Sequence, residues 1–236
     1  AYLILEDKAD LVMPRYQWSL PDGPLSDLIA YPLFRALWGW SLRHPAAPDF
    51  ALSPRLATAL LDEDIWETEV AVMGLSPWLS TYALLGDWRV AQSALGTKEA
   101  MPGKSIDTFC PSDGKGQSSD KGQFKTQFQN VVSVMLRLVN SHRNYWPGVN
   151  KFQSLPTLTE FVSEFDSRPV PEIDPIPLLD ELALGWIEYR ALWHRIITPS
   201  NLGLIEALAA LPPDRFYFPS DLWARVVYDF AIAFNQ

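Results

Sequence analysis

The side chains whose types and spacing could do chemistry lie in the first hundred residues. Glu67 and Glu69 flank Thr68. In an extended segment both carboxylates would point the same way. Such a pair can do acid–base work or hold a hydroxylated ligand. Asp62, Glu63 and Asp64 form an acidic run. It lacks the spacing of a known metal loop, so it reads as the solvated end of a helix. The three histidines, His44, His142 and His194, are scattered. A zinc-type site needs clustered ligands, so they read as structural or surface groups. Two Pro/Gly/Asp-rich elbows, 44–53 (HPAAPDFALS) and 72–78 (VMGLSPW), join apolar segments. Elbows between rigid elements are where scaffolds place ligand-contacting groups, although most are only turns.

The elements that must position these groups are mainly helices. Strands are expected at 10–14 and 88–95. A helix from 26 to 43 is apolar around most of its circumference, and Trp38 and Trp40 in it read as core packing. Ser53-Pro54 and Ser76-Pro77 each offer an N-cap followed by proline at the first helical position. They open helices to about Asp62 and Leu85, the second stopped by Gly86. Residues 102–122 are rich in Gly, Ser, Asp and Lys and read as a linker; their GKGQSSDKG run lacks the Walker spacing. Helical spacing resumes over 127–145, with further helices at 157–165, 177–197, 199–211 and 219–234, the last capped by Ser220. The expected fold class is mostly α with a small β component. Regions 1–101, 102–123 and 124–236 are the expected divisions.

Composition narrows the function classes. The chain has 236 residues, is 48% hydrophobic and 20% charged, and can bury a real core. Its net charge of −9 argues against a nucleic-acid backbone or an anionic membrane as the main partner. No stretch is apolar for long enough to span a bilayer, and the acidic start has no signal-peptide pattern. The single cysteine, Cys110, excludes an internal disulfide framework and fits a reducing compartment, so a cytoplasmic location is expected.

The order of short motifs from Tyr31 to Lys98 is more specific than any one of them. It runs through Tyr31-Pro32, the elbow His44 to Phe50, Leu52-Ser53 and Trp66 with Glu67 and Glu69. It continues through Gly74-Leu75-Ser76-Pro77-Trp78, Ala83 to Gly86, and Leu95-Gly96-Thr97-Lys98. This order resembles the C-terminal half of GT-A glycosyltransferases that move a hexose from a nucleotide sugar to glycerate or 3-phosphoglycerate. The resemblance implies the C-terminal part of a Rossmann-like domain, followed by a helical extension. It places substrate-binding roles on Tyr16, Ser26, Asp49, Glu69, Ser76 and Lys98. It implies a divalent metal, magnesium or manganese, and a nucleotide sugar as donor.

The chain departs from that family where the chemistry sits. Trp18 stands where the family has an arginine for the acceptor carboxylate, and indole cannot make a bidentate fork. Ser76 replaces the aspartate beside the reacting sugar; it can cap a helix but carries no charge. Ala100 replaces the histidine that ligates the metal. Nine residues precede Asp10, short of a βαβ unit of about 30 residues, and no D-x-D motif lies in a suitable place. No catalytic residue, metal ligand or cofactor is therefore assigned. Folds outlive their chemistry, because function lives in the site. The leading expectation is a glycosyltransferase-like protein, catalytically degenerate or incomplete, acting as a binding or structural component. The alternatives are an active glycosyltransferase seen as a partial chain, and a helical structural subunit of a larger complex. In the last case the 25–43 helix or the C-terminal helices would meet a protein partner.

Overall fold

The computed structural model describes residues 2–17, 25–68, 70–71, 74–97, 118–158 and 176–236. The chain is mostly helical with small sheets. It gathers into two compact units, 1–171 and 172–236.

The first unit is built on β1 (Leu11–Gln17). A single helical turn, α1 (Tyr2–Leu5), precedes it. Helix α2 (Tyr31–Trp38) continues a π-helical turn at Ser26–Ala30. Strands β2 (Trp40–Ser41) and β3 (Ala51–Leu52) flank the first elbow, and α3 (Pro54–Leu61) follows it. Then come α4 (Leu75–Leu85), β4 (Val90–Thr97) and the long α5 (Ser118–Ser141). Two short strands, β5 (Gln153–Ser154) and β6 (Thr157–Leu158), follow.

The main sheet has the order β3-β1-β4-β6. β1 and β4 run parallel, as do β4 and β6, while β3 pairs antiparallel to β1. Parallel neighbours need a crossover, and here α2 to α4 supply it. β1 carries Pro14 at a point where β3 has already stopped pairing, so no ladder bond is lost. The register slips between Arg15 and Tyr16, where β4 has the extra residue Leu95. Such a bulge re-aims the side chains beyond it.

The start of β1 is fixed by one carboxylate. Asp10 is 1% exposed. It accepts hydrogen bonds from Ser53 Oγ at 3.0 Å, Arg55 Nη2 at 2.8 Å and Arg89 Nε at 2.9 Å, plus the Arg89 backbone N–H at 3.2 Å. Ser53 meanwhile accepts from Leu56 N–H at 3.1 Å, the N-cap expected for α3. Three chain segments thus meet on one buried charge.

Several expected elements differ, each for a local reason. The helix expected to reach Arg43 ends at Trp38, because Gly39 turns left-handed (φ 73°) and donates its N–H to Arg35 O. A Cβ at Gly39 would lie 2.7 Å from Lys151 O, so glycine also allows that close approach. Gly74, not Ser76, is the N-cap of α4, and Ser76 falls inside the first turn. A Cβ at Gly74 would overlap Val134 of α5, so this helix start is packed directly on another helix. Pro219 rather than Ser220 caps the last helix. Thr157 and Leu158 are strand, not helix, since the free edge of β4 takes up their backbone groups; 159–165 lie outside the described residues. Helix α5 begins at Ser118, inside the stretch read as linker.

Trp38 is buried and meets Phe34, His142 and Tyr145 edge-on, at 6.2, 5.2 and 5.9 Å between ring centres. This binds the end of α5 to α2. Buried Gln92 turns its amide to donate to Ser41 O at 3.1 Å and accept from Arg43 N–H at 3.2 Å, joining β4 to the first elbow.

Among the described residues, the second unit holds three α-helices: α6 (Ile176–Ile196), α7 (Pro199–Ala209) and α8 (Ser220–Phe234). Its core is Ile197, Leu202, Ile205, Leu222 and Val226, with Trp186, Trp193 and Phe218 packed against it. Asp229 accepts from Asn201 Nδ2 at 2.8 Å and from the Thr198 backbone N–H at 3.0 Å. Among the described residues, no helix is long and apolar enough to cross a membrane.

Arg55 and Arg89 hold the Asp10 carboxyl well below the usual carboxylate range, Arg89 most of all. That contribution is complete at pH above the unfolded value of about 3.9 and fades as pH falls towards the folded one. Asp10→Ala should lower unfolding free energy by about 2 kcal/mol at pH 7, since it removes the acceptor shared by Ser53, Arg55 and Arg89 while both guanidiniums keep access to water. Urea melts of both proteins should show the difference shrinking below pH ~4.

Candidate functional site

The candidate site lies at the far end of β1 from Asp10, at the carboxyl ends of β1 and β4 as described. In open α/β sheets this carboxyl end of parallel strands is where ligands bind. Tyr16 is the penultimate residue of β1. The first elbow, after β2, comes back alongside it.

His44 fastens the elbow to the strand. It is 3% exposed, and its Nδ1 accepts from the Tyr16 backbone N–H at 3.2 Å. The ring also hydrogen-bonds the Pro14 backbone. The imidazole thus stands where a neighbouring strand would, on the side of β1 that β3 no longer covers. Burial pushes its pKa down to about 4, with Arg43 and Arg15 adding in the same direction. The ring is neutral near pH 7, and the bond from Tyr16 fixes the tautomer with its proton on Nε2. Pro45 is buried, and its carbonyl accepts from Ser80 Oγ of α4 at 3.2 Å.

Five residues on, the same elbow presents Asp49, whose Oδ2 accepts from the Tyr16 hydroxyl. Asp49 is exposed and Tyr16 half-buried. Burial and the Asp49 carboxylate raise the Tyr16 pKa, so the phenol stays protonated and donates. The result is a carboxylate held at the mouth of the sheet by a phenol and a locked elbow. A carboxylate so placed can accept hydrogen bonds from ligand hydroxyls.

Of the residues singled out from sequence, Tyr16 and Asp49 are therefore brought into contact. Ser26 is buried in the π-helical turn, and Ser76 is half-buried in the first turn of α4. Neither hydroxyl joins the Tyr16–Asp49 pair. Glu67 sits in a turn after α3 rather than in an extended segment. Glu69, Lys98, Trp18 and Ala100 lie outside the described residues.

A recess lined by Ile4, Asp7, Asp10, Ser53, Arg55, Asp87 and Arg89 opens at the other end of β1. Its charges already serve the fold: Arg89 pairs with Asp7 at 2.6 Å as well as with Asp10. Among the described residues no group of three or more His, Cys, Asp or Glu could hold a metal ion. At the candidate site His44 cannot ligate a metal through Nδ1, which is taken up by the Tyr16 N–H. No family model matches the chain, and no curated protein matches it.

His44 makes stability fall with acid. The unfolded ring protonates near 6.5 and the folded one near 4. Between these values the unfolded state binds more protons, so lowering the pH favours unfolding. Stability should drop by roughly 3 kcal/mol over that window. His44→Gln should flatten that slope in chemical denaturation measured from pH 7 to 4, whatever it does to the value at pH 7.

Proposed function

We propose that the first unit is the acceptor-side part of a glycosyltransferase-like scaffold that binds a hydroxyl-rich ligand without transferring a hexose itself. The observation that carries this reading is the Tyr16–Asp49 contact at the carboxyl end of the β1–β4 pair. Both residues are ones to which the family resemblance gives a substrate role, and they lie far apart in sequence.

The binding half of the proposal follows from chemistry. Sugar hydroxyls are donors, and an exposed carboxylate whose orientation is fixed offers oriented acceptors. A ligand needs less ordering when its partner is already held. The degenerate half rests on substitution. Indole at Trp18, a hydroxyl at Ser76 and a methyl at Ala100 stand where the family has an arginine, an aspartate and a metal-binding histidine. Neutral polyols are favoured over glycerate, because Asp49 repels a second carboxylate.

The test uses the whole chain. Glucose binding is followed by ligand-detected NMR, and UDP-glucose turnover is assayed with and without manganese. The expected result is glucose contact that is indifferent to manganese, weakened about tenfold or more in Asp49→Asn, and no release of UDP. Hexose transfer by the chain alone, or glucose contact unchanged in Asp49→Asn, would overturn the proposal.

A further inference from the structure

Helix α6 has two apolar faces, and the second unit uses only one. Trp186, Trp193 and Ile196 point to the core of that unit. No residue of α6 is buried. On the opposite side, Leu184 is 62% and Ile187 77% exposed. Helical spacing places Asp180, Leu184, Ile187, Ala191 and Arg195 along that outer side. All five are exposed. An apolar stripe on water, acidic at one end and basic at the other, is a contact surface rather than a solvated face.

The sequence of that stripe says what covers it. Laid antiparallel on itself about a two-fold axis between Ile187 and Glu188, the stripe meets complementary positions at both ends, while Glu188 lies at the edge of the contact. Asp180 faces Arg195 of the second copy, and Arg195 faces Asp180. Leu184 faces Ala191, large against small, as interdigitating helix surfaces require. The two Ile187 side chains flank the axis, offset from each other by one position along the helices. A two-fold contact must be self-complementary in this way. A parallel pairing would set Asp180 against Asp180 and Arg195 against Arg195, with like charges opposed.

We propose that α6 pairs antiparallel with α6 of a second copy of this chain, forming a two-fold homodimer through Leu184, Ile187 and Ala191 with Asp180–Arg195 pairs at both ends. The contact is one helix pair about 30 Å long, so it is modest in area and dissociates on dilution.

The charges make a decisive test. Sedimentation of the full chain is followed over about a hundredfold range of concentration. The unmodified chain should pass from dimer to monomer on dilution. Asp180→Arg and Arg195→Asp should each weaken dimerisation about tenfold, because each turns two attractions into two repulsions. Mixed together, the two variants should associate again as a heterodimer, since one then carries both arginines and the other both aspartates. The double variant should recover the homodimer. Both positions of substitution are on the surface, and helical circular dichroism should be unchanged. A chain that stays monomeric throughout, with this face covered by another protein or by the rest of its own chain, would overturn the proposal. So would a dimer that ignores the single swaps, or variants that fail to recover on mixing.

Discussion

A single buried charge sets the geometry of the first unit. Asp10 closes the entrance to β1, caps the region where α3 begins through Ser53 and Arg55, and receives Arg89 just before β4. These partners lie 43, 45 and 79 positions away in sequence. The backbone reinforces the knot: Ser53 N–H donates to Asp10 O at 2.8 Å, and Asp10 N–H to Arg89 O at 2.7 Å. A carboxylate out of water is costly unless its lone pairs are filled. Here they are filled by groups from both crossover ends, so the alternative of a slipped strand or an undocked helix leaves the charge unsatisfied. Both arginines keep part of their guanidinium in water. The desolvation cost is therefore borne mostly by one ion rather than three.

The two ends of β1 do opposite work as a result. At the start, the polar groups around Asp10 satisfy one another. At the finish, β3 has stopped pairing, Pro14 offers no N–H, and β4 carries a bulge. Among the described residues no strand covers that side of β1, and a side chain, His44, takes the Tyr16 backbone N–H there. That bond makes the elbow rigid enough to hold Asp49 against Tyr16. A histidine can do this only while it stays neutral, and burial keeps it so.

Much of the frame was legible in the residues. The Ser53-Pro54 cap, both long strands and the C-terminal helices follow local rules that act over a few positions. Helix ends were harder. Gly39 and Gly74 end and start helices because of what packs on them, Lys151 and Val134, and neither neighbour is visible in the local sequence. Ser76-Pro77 has the same local form as Ser53-Pro54, yet the close approach of α5 at Gly74 moved the cap. The site was legible only in part. Tyr16 and Asp49 were identified one at a time, but nothing in their spacing announces the contact. The Asp10 knot was missed entirely. Its one signal is an aspartate directly before an apolar strand, where solvent-facing loops also place aspartates.

The second unit poses a different physical problem. A unit of about 65 residues buries a small share of its surface, and its stability is marginal for that reason. Its core is five buried aliphatics with aromatic rings at the margin. On α8, Phe230, Ile232 and Phe234 are also partly exposed, at 36%, 56% and 48%. Composition alone does not force this, because a helix can turn charged residues outward at no cost to its core. Where a small unit keeps large apolar side chains in water on faces its own core cannot use, further burial is the stabilising term still open to it. The polar residues along α6 then decide what kind of surface can supply that burial. Their sign reverses from Asp180 to Arg195, so an all-acidic or all-basic surface would be repelled at one end. A surface whose charge reverses in the opposite sense satisfies both.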